Sequence, residues 1–401
     1  MNDSPFAFAD LMAPIALEDF FSRTWERAPL HVKRSTPGFY DRLLTGQDVE
    51  TAIASGGLRY PAIQLARGGA FFPADTFSRN IRSGDDVFSG VPDLDRIRAE
   101  YQAGATISLP GFHRAWQPLG ALAAAVEGYF DHAVHTNVYV TPGAAEGFTP
   151  HYDTHDVFIL QISGAKHWKI HAPPLALPHR SQPFSPQGYT PAAPVLEVDL
   201  TPGDLLYLPR GFVHATATAE AASIHVTLGI TVYTWMELLA EWLASAKTDI
   251  RFRRALPPGF ASREELQASL KDGFSQILAA LREDLGHGQL IETFTRKVRA
   301  GLNGEAGAFQ LDVKAIGPRS RLRTLERGSY MIASAPGGQI VLAFAAKALT
   351  LPGHLRATLD DMSGRSSFQG TDLKSTLGED AKLALIRYLH KEGFLIADSR
   401  P

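Results

Sequence analysis

His151, Asp153 and His214 have the residue types and the spacing that a mononuclear metal site requires. His151-Tyr-Asp153 opens a β-rich run. In extended backbone, residues i and i+2 project to one side, so the imidazole and the carboxylate can converge on one ion. A third ligand must then come from another strand. Asp204-Leu-Leu-Tyr-Leu-Pro-Arg-Gly-Phe-Val-His214 supplies it as a strand, a Pro-Arg-Gly turn and a histidine just beyond. Two histidines and one carboxylate form a facial triad, which covers one face of Fe(II) and leaves three positions for a co-substrate and oxygen. That is the geometry of an oxygenase rather than of a structural ion. His155 shares strand parity with His151 and Asp153 and competes as a ligand, but Thr154-His155-Asp156 reads as a bend ahead of the strand.

Lys166 is the candidate for filling the open positions. If Ser163-Gly164 is a two-residue hairpin turn, Gln161 pairs with Lys166, and the lysine shares the face of Gln161, Ile159 and Val157. A lysine turned into a barrel is costly unless it meets an anion. A dicarboxylate would satisfy it. A straight run from Asp153 to Gln161 would cover roughly 26 Å at about 3.3 Å per residue, so this role needs a bend near residues 154–156 and a curled sheet. The other reading is an exposed lysine on a hairpin. His225 and Thr227 share parity on a later strand and can face the same cavity, although His225 also reads as a satisfied core histidine. Trp168 reads as wall packing, and Arg210 as a structural or rim residue of its turn.

The elements that must position these groups are short β-rich runs, beginning near Thr136 and divided by Gly and Pro. They are Asn137–Val140, Asp156–Ile162, His167–Ile170, Val195–Leu200, Asp204–Leu208 and Ser223–Ile230. Such spacing predicts an all-β barrel or sandwich. Ala172 to Pro194 is too rich in proline for a helix or central strand and reads as a surface excursion at the barrel mouth. Ahead of the strands, Leu17, Phe20, Phe21 and Trp25 mark a short amphipathic helix ending before Pro29. After them, Thr234 and Glu237 form a capping box for a helix carrying Trp235, Leu238, Leu239, Trp242 and Leu243. A second helix is capped by Ser262 and Glu265, carries Leu266, Leu270, Phe274, Ile277, Leu278, Leu281 and Leu285, and stops at Gly286. The apolar faces of these two helices either pack on the barrel or form a dimer seam. From about Ile316 a strand pair, Tyr330–Ser334 and Gln339–Phe344 around Pro336-Gly-Gly, is followed by helices near Leu351–Met362 and Asp380–Lys391 and a last strand at Phe394. This reads as a small α+β domain of winged-helix type.

Composition narrows the chemistry. The 401 residues carry a formal charge of -3, which argues against a surface built for nucleic acid or anionic membrane. With no cysteine, any metal site is built from histidine and carboxylates. No leader pattern and no long apolar run is evident, so a cytoplasmic location is the default expectation.

Taken together, the motifs Asn137-Val-Tyr-Val-Thr-Pro, His151-Tyr-Asp153, Val157-Phe-Ile-Leu-Gln-Ile-Ser-Gly-Ala-Lys166-His-Trp168 and Gly203-Asp-Leu-Leu-Tyr-Leu-Pro-Arg-Gly-Phe-Val-His214 resemble those of the bacterial ribosomal oxygenases, JmjC (Jumonji-C) proteins of the cupin superfamily. The resemblance implies an α+β chain. Residues 1–233 would form a JmjC/cupin double-stranded β-helix (jelly-roll) barrel with N-terminal helical elements, 234–315 a helical dimerisation region, and 316–401 a winged-helix-like domain. It also implies Fe(II) on His151, Asp153 and His214, and O2 and 2-oxoglutarate as co-substrates. Lys166 would hold the far carboxylate of 2-oxoglutarate, with Asn137 and Tyr139 beside it. The implied reaction is hydroxylation of a histidine or arginine in a ribosomal protein by a homodimer, and the charge and apolar patterning above add the expectation of no membrane partner and no direct nucleic-acid binding. Action on a peptide or small molecule, and a non-catalytic cupin or winged-helix binding protein, are the alternatives.

Overall fold

The structure is a computed structural model. It describes residues 6–34, 36–55, 57–145, 147–247, 249–264, 266–283, 287–302, 316–325, 330–344 and 347–397. The chain divides into two compact units, Met1–Val232 and Tyr233–Pro401. In the first unit the described strands are β1 (Leu30–Val32), β2 (Gln64–Arg67), β3 (Ala70–Phe71), β4 (Ser78–Ser83), β5 (Asp86–Pro92), β6 (Thr106–Pro110), β7 (Ala133–Thr141), β8 (Asp156–Ser163), β9 (Lys166–His171), β10 (Leu196–Leu200), β11 (Leu205–Leu208), β12 (Val213–Thr218) and β13 (Ser223–Thr231). Eight of them form a large sheet in the order β1-β11-β8-β13-β7-β6-β2-β3, three form a small sheet β10-β9-β12, and β4 and β5 pair alone.

Alternation along β8 explains the layering. Phe158, Leu160 and Ile162 point to one face of the large sheet, where they join a core with Phe8, Phe20, Leu122 and Val126 of the helices Phe8–Met12, Leu17–Arg23 and Gln117–Phe130. Val157 and Ile159 point to the other face and pack with Trp168, Ile170 and Leu200 of the small sheet. Two hydrophobic faces on one strand force two covering layers. The sheets do not close into the barrel expected from the sequence. Side-chain packing holds them together where a barrel would have a continuous ladder. The expected Ser163-Gly164 hairpin is also absent: β8 pairs with β11 and β13, while Lys166 lies opposite Leu200 and Thr218 in the small sheet. The chain changes sheets at this corner. Gly164 adopts φ +64°, and a Cβ there would come within 1.9 Å of the Ala222 carbonyl oxygen, so a wider residue does not fit the crossing.

The second unit contains the helix Trp235–Ala246, whose Thr234–Glu237 capping contacts form as expected, and the helix Leu266–Glu283. Glu265, Leu285 and Gly286, and the proposed boundary at 315, lie outside the described residues. A third helix, His287–Gly301, escaped the sequence reading and packs on a three-stranded sheet of β15 (Tyr330–Ala335), β16 (Gln339–Phe344) and β17 (Lys347–Pro352). β14 (Leu322–Thr324) pairs with β18 (Leu395–Ala397). The helix expected from Leu351 begins instead at Arg356, because Leu349 and Leu351 alternate as strand residues opposite Leu342 and Ile340.

A buried ionic node ties the N-terminal helical layer to the strands that carry the site. Arg210 Nη1 donates to Asp156 Oδ2 at 2.8 Å and to Glu26 Oε1 at 2.6 Å, and the Tyr207 hydroxyl donates to Asp156 Oδ1 at 2.8 Å. Arg210 is therefore a structural residue. Removing one partner of such a node leaves a buried charge unpaired, at a cost of about 3 kcal/mol or more. Arg210→Met should lower the urea unfolding free energy by about that amount, and an unchanged midpoint and slope would contradict this assignment.

Candidate metal centre

Backbone pairing brings the two histidines together. The His214 amide donates to the His151 carbonyl oxygen at 2.8 Å, and the His151 amide returns a bond to His214 at 3.2 Å. The Gly211 amide holds the Asp153 carbonyl oxygen at 3.0 Å. The imidazole rings stand 4.5 Å apart, and His214 Nε2 is 3.7 Å from Asp153 Oδ2. One ligand atom from each of His151, Asp153 and His214 lies within 4.8 Å of the others. The tautomers follow from the partners. His151 Nδ1 faces the Thr149 carbonyl oxygen at 2.7 Å, and His214 Nδ1 faces that of Phe212 at 3.1 Å. A carbonyl only accepts, so both Nδ1 atoms carry the proton and Nε2 is the nitrogen left on each ring to meet a metal. Burial, reinforced by His151, lowers the pKa of His214 to about 4, so the ring is neutral at pH 7. Burial alone would raise the Asp153 carboxyl, but the surrounding His155, His214, His151 and His135 outweigh it and hold the pKa below its ordinary value. Two imidazoles and one carboxylate fit a divalent ion of the first transition row.

A cleft of about 630 Å³ extends from these groups between the sheets. Asn137, Tyr139, Val157, Ile159, His225 and Thr227 line it from the large sheet, and Lys166, Trp168 and His214 from the small one. Lys166 is 2 % exposed, and its Nζ donates to Thr141 Oγ1 at 3.0 Å. Among the described residues no carboxylate pairs with it, and burial lowers its pKa to about 7. A facing sheet, not a bend in β8, thus brings Lys166 into the cavity. Tyr139 stacks on His225 with centroids 5.0 Å apart, and burial, then the charge of Asp153, pushes its hydroxyl up to about 12. Asn137 Oδ1 accepts from the Gly111 amide at 3.1 Å.

His155 is not one of the three clustered groups, and its ring meets that of His135. His135, Thr141 and Phe148 escaped the sequence reading. Parity with Asn137 and Tyr139 along β7 was the signal for His135 and Thr141. Phe148 packs against both Tyr139 and His151 from a loop, where no periodicity marks it.

The JmjC domain family matches residues 113–238, the segment that carries all of these groups except the N-terminal layer. Over 358 residues the chain is 30% identical to Ribosomal oxygenase 2 of Bos taurus, covering 84% of this chain and 70% of that protein. With Ribosomal oxygenase 2 of Mus musculus it shares 30% identity over 312 residues, 74% of this chain, and spans 64% of the relative's length. Among solved structures it is similar to YcfD, a ribosomal oxygenase from Escherichia coli, in complex with cobalt and 2-oxoglutarate. The TM-score is 0.58 at 16% identity, covering 96% of this chain and 99% of that one, a likeness of fold.

The state of Lys166 gives a measurable pH dependence. Its pKa is about 7 in the folded protein against 10.5 for an ordinary lysine, so between those values the unfolded chain binds the extra proton. Folded-state stability without co-substrate should therefore rise with pH across that window. Urea unfolding of wild type and Lys166→Met should show the wild type gaining on the variant as pH increases from about 7 to about 10; parallel profiles would contradict a buried, unpaired ammonium.

Proposed function

The chain belongs to the ribosomal oxygenases that carry a JmjC domain, and from that premise we propose that it is an Fe(II)- and 2-oxoglutarate-dependent dioxygenase hydroxylating a histidine or arginine side chain of a ribosomal protein. One observation carries the reading: a His-Asp-His cluster whose Nε2 atoms are left to meet a metal shares a cleft with a buried lysine that has no anion partner among the described residues. The Escherichia coli relative solved with cobalt and 2-oxoglutarate supports pairing these two features.

In this reading His151 Nε2, His214 Nε2 and one Asp153 oxygen hold the metal. Lys166 takes the distal carboxylate of 2-oxoglutarate, with the Thr141 hydroxyl fixing its ammonium, and Asn137 and Tyr139 flank the same ligand. The chemistry that Fe(II), 2-oxoglutarate and O2 supply at such a site is oxidative decarboxylation coupled to insertion of one oxygen atom into a C–H bond. Val157, Ile159, Trp168 and Phe148 keep water from the reacting groups, and the backbone ties of His151 and His214 set the ligand geometry before any ligand arrives.

The second unit supports a dimer with a winged-helix-like end. Phe274 and Leu278 lie on one face of the helix Leu266–Glu283 at 63% and 48% exposure, as an unpaired seam would. Leu281, of the same expected face, falls outside the described side chains. No described helix is long and apolar enough to cross a membrane. A ribosomal-protein substrate would place the reaction in the cytoplasm.

Ribosomal proteins incubated with the enzyme, Fe(II) and 2-oxoglutarate should gain the mass of one oxygen on a single side chain, as read by peptide mass spectrometry. Asp153→Ala should abolish the gain, and full activity in that variant would remove Asp153 from the metal site. Lys166→Met should raise the KM for 2-oxoglutarate roughly tenfold or more by removing a charge-assisted bond, with Fe(II) affinity kept. Phe274→Asp combined with Leu278→Asp should convert a dimer to a monomer in light scattering; a monomeric wild type would refute the seam.

A further inference from the structure

The cleft has two ends, and the groups assigned above occupy only one of them and its middle. Register orders the inner face of the large sheet: Thr141 lies opposite Ser223, Tyr139 opposite His225, Asn137 opposite Thr227 and His135 opposite Gly229. Lys166 is bonded to Thr141 at the first end. His135 lies roughly 20 Å further along β7 at the usual rise of an extended chain. The metal-binding groups fall between, because Asp153 is close enough to Tyr139 and to His135 for its charge to bear on both.

At the far end His135 and His155 meet edge to face, with centroids 4.8 Å apart and planes at 65°. Both are half-buried, and His155 lines the cleft. No hydrogen bond from a described residue reaches either ring. The space they fill is reserved by the strand beneath: a Cβ on Gly229 would come within 2.4 Å of the His135 ring and 2.7 Å of the His155 ring. Two imidazoles held in a reserved space, with no partner among the described residues for their nitrogen atoms, present donors and acceptors to a ligand.

Resting on the functional reading above, we infer that His135 and His155 form the substrate-side recognition pair, and that the side chain they take is the uncharged imidazole of a target histidine. A neutral imidazole offers one donor and one acceptor to the ring nitrogen atoms of the pair, and its face can pack against a ring edge. A guanidinium offers donors only and brings a positive charge toward the metal-binding groups and toward Arg114, whose own charge already bears on His135.

His135→Phe and His155→Phe keep the ring and remove its nitrogen atoms, and Gly229→Ala displaces both rings without altering them. Each is assayed on ribosomal proteins by peptide mass spectrometry, with 2-oxoglutarate affinity measured separately by calorimetry. The expected result is a hydroxylated histidine in wild type and, in each variant that retains cooperative unfolding, a kcat/KM lowered roughly tenfold or more through the KM for the protein substrate. Wild-type kinetics in both phenylalanine variants, a hydroxylated arginine, or an equal loss of 2-oxoglutarate affinity would overturn the recognition pair while leaving the oxygenase reading intact. A wild type that binds 2-oxoglutarate but modifies no ribosomal protein would overturn the ribosomal reading, and the pair with it.

Discussion

Burial of the Lys166 ammonium between two sheets is the constraint on which the rest of the site depends. A charge taken out of water costs several kcal/mol unless something of opposite sign meets it. Thr141 offers only a hydroxyl, and no described carboxylate pairs with the lysine. The fold accepts this cost where the cleft leads to three more polar groups with ligand capacity to spare. Stability and binding are thus opposed at one residue: what weakens the ligand-free protein is what a dicarboxylate would relieve.

The surrounding architecture holds that residue and the His-Asp-His cluster in one frame. β8 needs an apolar layer on each face, so the N-terminal helices cover one side and the small sheet the other. Lys166 and His214 sit on adjacent strands of the small sheet, β9 and β12, while the cavity wall opposite belongs to the large sheet. The Asp156–Arg210–Glu26 node then fixes the helical layer to the strand and turn that lead into the site. His151 and His214 are bonded through their own backbones and aligned by carbonyl acceptors, so the ligand geometry is a property of the fold and does not wait for an ion.

Much of this was legible in the residues, for local reasons. His151 and Asp153 share a side because extended backbone alternates, and His214 follows a turn whose Pro-Arg-Gly spelling is explicit. Parity through a hairpin puts Lys166 on the cavity side, but the structure reaches that side by another route, because Gly164 turns the chain into another sheet. That distinction depends on the long-range pairing of Lys166 with Leu200 and Thr218, which no local pattern encodes. Strand spacing leaves a barrel and a sandwich both open because it does not say whether edges meet, and the barrel was implied only by the resemblance. β1, β2, β3 and β17 are short or flanked by other signals, and the helix His287–Gly301 follows a stop at Gly286 that reads as the end of the second helix, with no cap pattern to open a third. His135 carried the same parity as Asn137, yet its meaning emerged only when Gly229 and His155 were seen against it.

The central claim is that one cleft binds Fe(II) and 2-oxoglutarate together, the metal on His151, Asp153 and His214 and the far carboxylate on Lys166. Anaerobic titration of the Fe(II) protein with 2-oxoglutarate, followed by absorbance, tests it directly. A saturable metal-to-ligand charge-transfer band is the result this account requires. No band, with Fe(II) demonstrably bound, would contradict it.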